Sequence, residues 1–361
     1  MRHPAGTRAL KKMNILIVKP SSLGDIVHTL PVVPLLRKHW PEAVISWVVN
    51  EEYARLLDLC PDIDHVLVFR RHRWNRPRHW PELYSFLHEL RQQKPDLCLD
   101  FQGLFRSGLI SRLSGAKRRV GFRSAREGAT CFYTESVLPP KEMQHAVQRN
   151  VFLLQNALQI DDPVQNSGIS CSQVDMDNMQ RLLRNYDVDG RSVFLTVAPA
   201  ARWQAKTWPP DFFIDVLREV WSRQPDLPVL LLGTATERPL GEIITDECGR
   251  QGRIVNLMGE TDLGTLVAVL RHTRVLLTND SGPMHLAAML GTPVVALFGP
   301  TDPLLTGPYG QAHRVFRGKC ERTPCLQYNC PKGTNACHYT VSSQEVAAAV
   351  TEKIGSRELQ P

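Results

Sequence analysis

Ile15-Leu16-Ile17-Val18-Lys19-Pro20-Ser21-Ser22-Leu23-Gly24-Asp25 opens with a short apolar, largely β-branched run, stops at a lysine, and crosses a polar loop into a helical stretch interrupted by Pro31 and Pro34. A brief apolar run bounded by turn residues is the pattern of a strand buried on both faces, and strand, loop, helix is the opening of a βαβ unit. The same alternation continues outward. Apolar runs at Val44–Val49, His65–Phe69 and Asp96–Asp100 are separated by amphipathic stretches at 80–93 and 103–113. Parallel sheets built this way bind ligands at the carboxyl ends of their strands, so the loop after Val18 is a candidate site loop from the outset.

A helical stretch at 142–159 leads into the polar segment 160–192, which holds one further helix at 174–185, and a domain boundary belongs there. Beyond it the pattern repeats, with strands at Val193–Ala198, Val229–Leu232, Val275–Thr278 and Val294–Phe298, and helices near 210–223, 236–249, 262–272 and 282–290. The expectation is an α/β chain of two doubly wound, Rossmann-like domains facing a central cleft, 13–170 and 171–361, with the last helix packing back on the first domain. A chain of 361 residues is long enough for two such cores.

The charge is uneven. Residues 70–126 hold fourteen Lys or Arg against four Asp or Glu, whereas the whole chain carries only +7, so a polyanion is met by one lobe. Lys11 and Lys12 precede an apolar run too short for a signal sequence, residues 1–12 read as a loose extension, and Met13 is an alternative start. No window is long and apolar enough to span a bilayer. Nine cysteines do not pair evenly, and Cys60, Cys98, Cys131, Cys171 and Cys248 lie in apolar or helical stretches, which suits a reducing cytosol.

Five loops carry residue types with chemistry to offer. After the first strand, Asp25 suits a general base taking a hydroxyl proton, and equally a helix cap. Thr278-Asn279-Asp280-Ser281-Gly282-Pro283-Met284-His285 runs from a strand end into a helix whose first N–H groups would face a diphosphate; the alternative is a plain N-cap with His285 as a core histidine. Lys206, in the stretch Pro199–Trp208 with Arg202, could neutralise a leaving diphosphate without a divalent metal; the alternative is an ordinary solvated loop lysine. Gly233–Glu237 and Gly259–Leu263 would border the same nucleotide pocket.

Arg70-Arg71-His72-Arg73-Trp74-Asn75-Arg76-Pro77-Arg78-His79-Trp80 contains five Arg, two His and two Trp and no acid. Arginine reads phosphate bidentately and Trp anchors at a membrane interface, which suits a phosphorylated glycolipid; single-stranded nucleic acid is the other polyanion this run would fit, and a plain solvated loop is the third alternative, against which the absence of any acid argues. Cys320, Cys325, Cys330 and Cys337, followed by His338, lack the tight Cys-x2-Cys knuckles of common zinc sites, so local thiols or a redox-labile disulfide fit better than a metal. No G-x-G-x-x-G follows the first strand, and Gly103–Gly108 has P-loop spacing without the Lys-Ser/Thr, so a dinucleotide oxidoreductase and a P-loop ATPase lose their main warrant.

Taken together, Ile15–Pro31, Asp100-Phe-Gln-Gly-Leu104, Ala125-Arg-Glu127, Gln144-His-Ala-Val147, Thr278–Ala288 and Phe298-Gly-Pro-Thr-Asp302 resemble, in order, the lipopolysaccharide heptosyltransferases of glycosyltransferase family 9. The resemblance runs from about 14 to 350. It implies a GT-B fold, inversion at the anomeric carbon, no metal and no cofactor. It also implies ADP-heptose bound in the C-terminal domain and the inner core of lipopolysaccharide, Kdo-lipid A or an already heptosylated core, bound in the N-terminal one. Asp25 would be the base; Lys206, Glu237, Thr261, Asp280, Ser281, Gly282 and His285 would contact the donor. Lys19, Ser22, Gly24, Arg70, Arg71, Arg73, Gln102, Arg126 and His145 would serve the acceptor. The form of the first motif is similar to that of type I enzymes, which add the first heptose. A monomer on the cytoplasmic face of the inner membrane, attached peripherally and binding no nucleic acid, completes the expectation. The rivals are a nucleotide-sugar epimerase or hydrolase, which would need no glycolipid acceptor, and a nucleotide-sensing nucleic-acid-binding protein.

Overall fold

The computed structural model describes residues 13–71, 73, 74, 77–164, 168–190, 192–249 and 251–356. The expectations for residues 1–12, and for His72, Asn75 and Arg76 of the basic run, lie outside them. The chain divides into two compact units between Ile169 and Ser170.

In the first unit, strands β1 (Asn14–Val18), β2 (Val44–Asn50), β3 (His65–Phe69), β4 (Leu97–Asp100), β5 (Arg118–Phe122) and β6 (Glu135–Val137) form one sheet in the order β3-β2-β1-β4-β5-β6. Every pairing is parallel. Ile15, Leu16, Ile17 and Val18 are all buried, as a strand with helices over both faces requires. On one face Leu16, Val18, Val48 and Leu67 pack with Phe86 and Leu90 of the helix Trp80–Gln92, each contributing roughly 1.5–3 kcal/mol by leaving water.

The second unit repeats the plan. Strands β7 (Leu195–Ala198), β8 (Val229–Leu231), β9 (Ile254–Asn256), β10 (Val275–Asn279), β11 (Val294–Phe298) and β12 (Arg314–Arg317) run β12-β11-β10-β7-β8-β9, again all parallel. In both sheets the chain order reverses beside the first strand, between β1 and β4 and between β7 and β10. A crevice opens at the carboxyl end of a doubly wound sheet at such a reversal, and it is there that ligands bind.

One expectation changes. The helix placed at 142–159 begins only at Ala146, because His145 is extended and its ring Nδ1 accepts the Val147 N–H as an N-cap at 3.2 Å. Within the second unit the last helix, Ser343–Ser356, packs against the helix Pro210–Arg223. Its Val346, Ala347, Val350 and Ile354 recur at helical spacing and join the core of Phe213, Leu217 and Trp221.

Candidate active site

At the reversal of the first sheet, the loops after β1 and β4 are tied together. Lys19 is buried; its Nζ donates to the Phe101 carbonyl at 3.1 Å and stands 3.9 Å from Asp25 Oδ1. Burial pulls the Lys19 ammonium below its ordinary range, against the opposing pull of Asp25 and Asp100. The Ser21 N–H reaches Gln102 Oε1 at 3.4 Å, joining the same two loops.

The two oxygens of Asp25 have different partners. Oδ2 accepts from the Ser22 N–H at 3.0 Å and the Ser22 hydroxyl at 2.8 Å, the capping-box bond of the short helix Leu23–Val27, in which Gly24 precedes Asp25. Oδ1 faces Lys19, and the side chain is 48% exposed. Burial works to raise the carboxyl, but Lys19, both Ser22 hydrogen bonds and His28 outweigh it and hold Asp25 below the ordinary 3.8. The group is therefore a carboxylate at neutral pH, the form in which it can take a proton.

A buried acid outside the expected site residues holds this loop pair in place. Asp100, fully buried at the end of β4, accepts from the N–H groups of Gln102 (2.9 Å) and Gly103 (3.1 Å), from Ser107 Oγ (2.8 Å) and from Tyr133 Oη (2.7 Å). It thereby fixes the Phe101 carbonyl that Lys19 uses. An acid ending a buried apolar strand was the available signal. Asp100→Ala would strand four donors and is expected to cost about 3 kcal/mol of stability, read as a lower Tm; an unchanged Tm would contradict this clamp.

The other expected acceptor residues are distributed along the same edge. Arg126 is exposed in the loop after β5, its backbone N–H bonded to the Gly103 carbonyl at 2.8 Å. The His145 ring lies edge-on to His28 at 5.5 Å, and His28 caps the end of the Asp25 helix. Arg70, Arg71 and Arg73 follow β3, the outer strand on the other side. Arg70 is not an unshared cation, since its Nε donates to Glu51 at 3.0 Å, and His79 pairs with Glu82 at 2.8 Å, so acids from outside the run moderate it. The two tryptophans also part company. Trp74 turns inward against Phe69 (5.0 Å) and Phe86 (5.2 Å), whereas Trp80 stays 61% exposed. A single aromatic facing outward is a poor stacking platform for successive bases.

At the reversal of the second sheet, Lys206 sits on the single turn Gln204–Lys206 after β7, and Asp280 directly follows β10. Lys206 Nζ meets Asp280 Oδ2 at 2.7 Å, with side chains 18% and 4% exposed. The Thr301 hydroxyl donates to the same oxygen at 2.7 Å, and His285 Nε2 is 3.8 Å from Oδ1. The indole of Trp203 lies 4.6 Å from Lys206 Nζ, and Asn279 pins the loop by accepting from Trp208 N–H and donating to the Pro199 carbonyl. Thr301 and Trp203 lie inside the stretches Phe298–Asp302 and Pro199–Trp208 but are not among the expected site residues.

The helix Gly282–Met289 starts here, and Ser281 does not cap it: its hydroxyl pairs with Thr278 at 3.0 Å, leaving the first turn without a side-chain cap from Ser281. A cation beside an uncapped helix start is a site for a phosphate oxygen. Glu237 lies after β8, next to β7, with Oε2 accepting the Thr234 N–H at 2.7 Å. Thr261 follows β9, the outer strand, and is the member furthest along the sheet from the Lys206–Asp280 pair.

Known proteins bear on this arrangement. Over 333 residues, covering 88% of this chain and 87% of the other, the chain is 29% identical to lipopolysaccharide heptosyltransferase 1 of Pseudomonas aeruginosa. It is likewise 29% identical to the Escherichia coli heptosyltransferase 1, over 86% of this chain and 95% of that one. Among solved structures, E. coli heptosyltransferase WaaC with ADP superposes with a TM-score of 0.75 at 25% identity, covering 94% of this chain and all of that one. E. coli heptosyltransferase II, at 22% identity and a TM-score of 0.76 over 95% of this chain and 98% of that one, shares the GT-B fold. The sequence profile of glycosyltransferase family 9 (heptosyltransferase) matches residues 83–335. On that match, with two parallel Rossmann-like sheets and charged loops at both strand-order reversals, the chain is an enzyme belonging to glycosyltransferase family 9, the heptosyltransferases.

Proposed function

We propose that the protein transfers heptose from ADP-L-glycero-D-manno-heptose to Kdo-lipid A, the first heptosylation of the lipopolysaccharide inner core, with inversion and without a metal ion. The observation that best supports this reading is the Lys206–Asp280 pair beside the start of the helix Gly282–Met289, a fixed cation of the kind that stabilises a departing diphosphate. The ADP and ADP-2-deoxy-2-fluoro heptose complexes of E. coli WaaC support the donor. The first-heptose position draws support from the type 1 relatives at 29% identity, against 24% for the E. coli type 2 enzyme.

The mechanism is a single displacement. The acceptor hydroxyl gives its proton to Asp25 as its oxygen attacks the anomeric carbon, and the bond to the ADP oxygen breaks on the opposite side. Lys206 and the first-turn N–H groups take up the charge that develops on the diphosphate. Asp280 orients Lys206, and Glu237, Thr261 and His285 complete the donor pocket. Lys19, Ser22, Gly24 and Gln102 shape the acceptor loop, while Arg70, Arg71, Arg73, Arg126 and His145 meet acidic groups of the glycolipid. No described helix is long and apolar enough to cross a membrane. Peripheral attachment at the cytoplasmic face of the inner membrane, through the arginines and exposed Trp80, is part of the proposal, as is a monomeric enzyme.

Purified protein is expected to release ADP from ADP-heptose only when Kdo-lipid A is added, and to do so equally in EDTA. Release without acceptor would mean hydrolysis. Loss of release in EDTA would overturn the metal-free mechanism, and release only with heptosylated cores would move the enzyme to a later step.

A further inference from the structure

The tail of the second unit holds chemistry that glycosyl transfer does not use. Cys320, Cys325, Cys330 and Cys337 line one cavity of about 20 Å³ together with Ala205 and Pro300, and all four are thiols. Two of them begin tight turns: the Thr323 N–H bonds the Cys320 carbonyl at 3.1 Å, and the Gly333 N–H bonds the Cys330 carbonyl at 2.9 Å. An ion pair between Lys332 and Glu321, at 3.2 Å, joins those turns.

Their ionisation is set by these surroundings. The Thr323 hydroxyl, 3.2 Å from Cys320 Sγ, and the Arg322 N–H hold the Cys320 thiol below its ordinary range. At Cys330 burial pushes the other way, but N–H groups of Lys332, Thr334, Asn335 and Ala336 outweigh it and again favour the thiolate. By contrast, burial pushes Cys60 and Cys98 up to about 12, so those thiols are inert at neutral pH.

The segment between Cys320 and Cys330 also holds both sides of the Lys206–Asp280 pair. The Tyr328 carbonyl accepts the Ala205 N–H at 3.1 Å, and the Tyr328 ring lies 6.1 Å from Trp203, whose indole carries Lys206. The Leu326 N–H donates to the Pro300 carbonyl at 2.9 Å, one residue before Thr301.

We propose that Cys320 and Cys330 are a thiol-modification site that takes a low-molecular-weight disulfide and, by closing a disulfide of their own, loosens the loop carrying Lys206. The Cys320 thiolate attacks one sulfur of the small disulfide, a mixed disulfide forms, and one small thiolate leaves and is protonated. The Cys330 thiolate then attacks Cys320 Sγ, the second small thiolate leaves, and two protein thiols have been oxidised while one small disulfide has been reduced to two thiols. Bonding the sulfurs at about 2.05 Å draws the two turns together, and the hydrogen bonds of Tyr328 and Leu326 give way. The consequence for the donor rests on the function proposed above; the thiol chemistry does not.

The test treats the full-length protein with oxidised glutathione. It maps disulfides by mass spectrometry and follows backbone amide exchange over 203–208 as well as ADP affinity. A Cys320–Cys330 disulfide, faster exchange over 203–208 and roughly five-fold weaker ADP binding, the size of one lost hydrogen bond, are expected. Dithiothreitol should reverse all three, and Cys330→Ser should stop at the mixed disulfide on Cys320. Cys131→Ser, at an exposed thiol outside the cluster, should respond as the parent does. Thiols that oxidise no faster than Cys131, or a disulfide that leaves exchange over 203–208 unchanged, would overturn the proposal. So would thiols that react only after a chelator has removed a bound metal. If the reduced protein bound no ADP, the donor-site reading would fail while the disulfide map and the exchange still judged this one.

Discussion

Asp25→Asn is expected to lower turnover roughly 1,000-fold while leaving ADP affinity and Tm close to those of the parent. The amide keeps the shape of the side chain, and its oxygen can still accept the two Ser22 bonds that Oδ2 accepts now, so the short helix keeps its cap. What disappears is the negative charge beside Lys19 and the ability to take a proton. Asp25→Ala should lose the same turnover but also the cap, worth about 1 kcal/mol, so the difference in Tm between the two variants reads the cap alone. An Asn variant that kept most of its turnover would remove Asp25 from the chemistry and leave it as the capping residue.

The same carboxylate sets a pH dependence. Its folded value lies below the ordinary 3.8, so the ionised, active form persists to lower pH than a free aspartate would allow. Activity governed by this group is lost as pH falls through that depressed value, and any stability it contributes is lost in the same direction. The acid limb of the kcat profile should therefore sit below pH 3.8. A limb well above it that vanished in the Asn variant would show that the Lys19 and Ser22 contacts do not govern the carboxylate during turnover.

Central strands were the most legible part of the fold because both their faces are buried, which forces the continuous apolar runs of β1, β10 and β11. The strands missed were β5 (Arg-Arg-Val-Gly-Phe), β6, β9 and β12 (Arg-Val-Phe-Arg). Three of these are outer strands, and all four are three to five residues long; with a neighbour on one side only, such strands tolerate the charges that erase the pattern. The site divides in the same way. Asp25, Lys206 and Asp280 were legible because a polar loop at the end of a buried strand is where this architecture binds ligands. Thr301, Trp203 and the Phe101 carbonyl were not, because each acts across the sheet or between loops on a partner distant in sequence. Trp74 misled for a related reason: composition shows an indole among arginines but not that Phe69 and Phe86 draw it inward.

Lys206→Ala is expected to cost twice, and a second substitution can separate the costs. Removing the ammonium leaves the Asp280 carboxylate, 4% exposed, with the Thr301 hydroxyl at 2.7 Å and a histidine nitrogen at 3.8 Å beside it. An uncompensated buried charge of this kind lowers stability by about 3 kcal/mol. Turnover should fall roughly 100- to 1,000-fold if the ammonium meets charge developing on the diphosphate. Adding Asp280→Asn removes the stranded charge while keeping an oxygen for Thr301, so the double variant should regain most of the lost stability. It should regain none of the turnover, because nothing in it replaces the cation. A Tm series with kcat measured on the parent and these two variants decides the matter. Recovery of turnover together with stability would mean that Lys206 serves only to neutralise Asp280, and the leaving diphosphate would then depend on the helix start at Gly282 for its stabilisation.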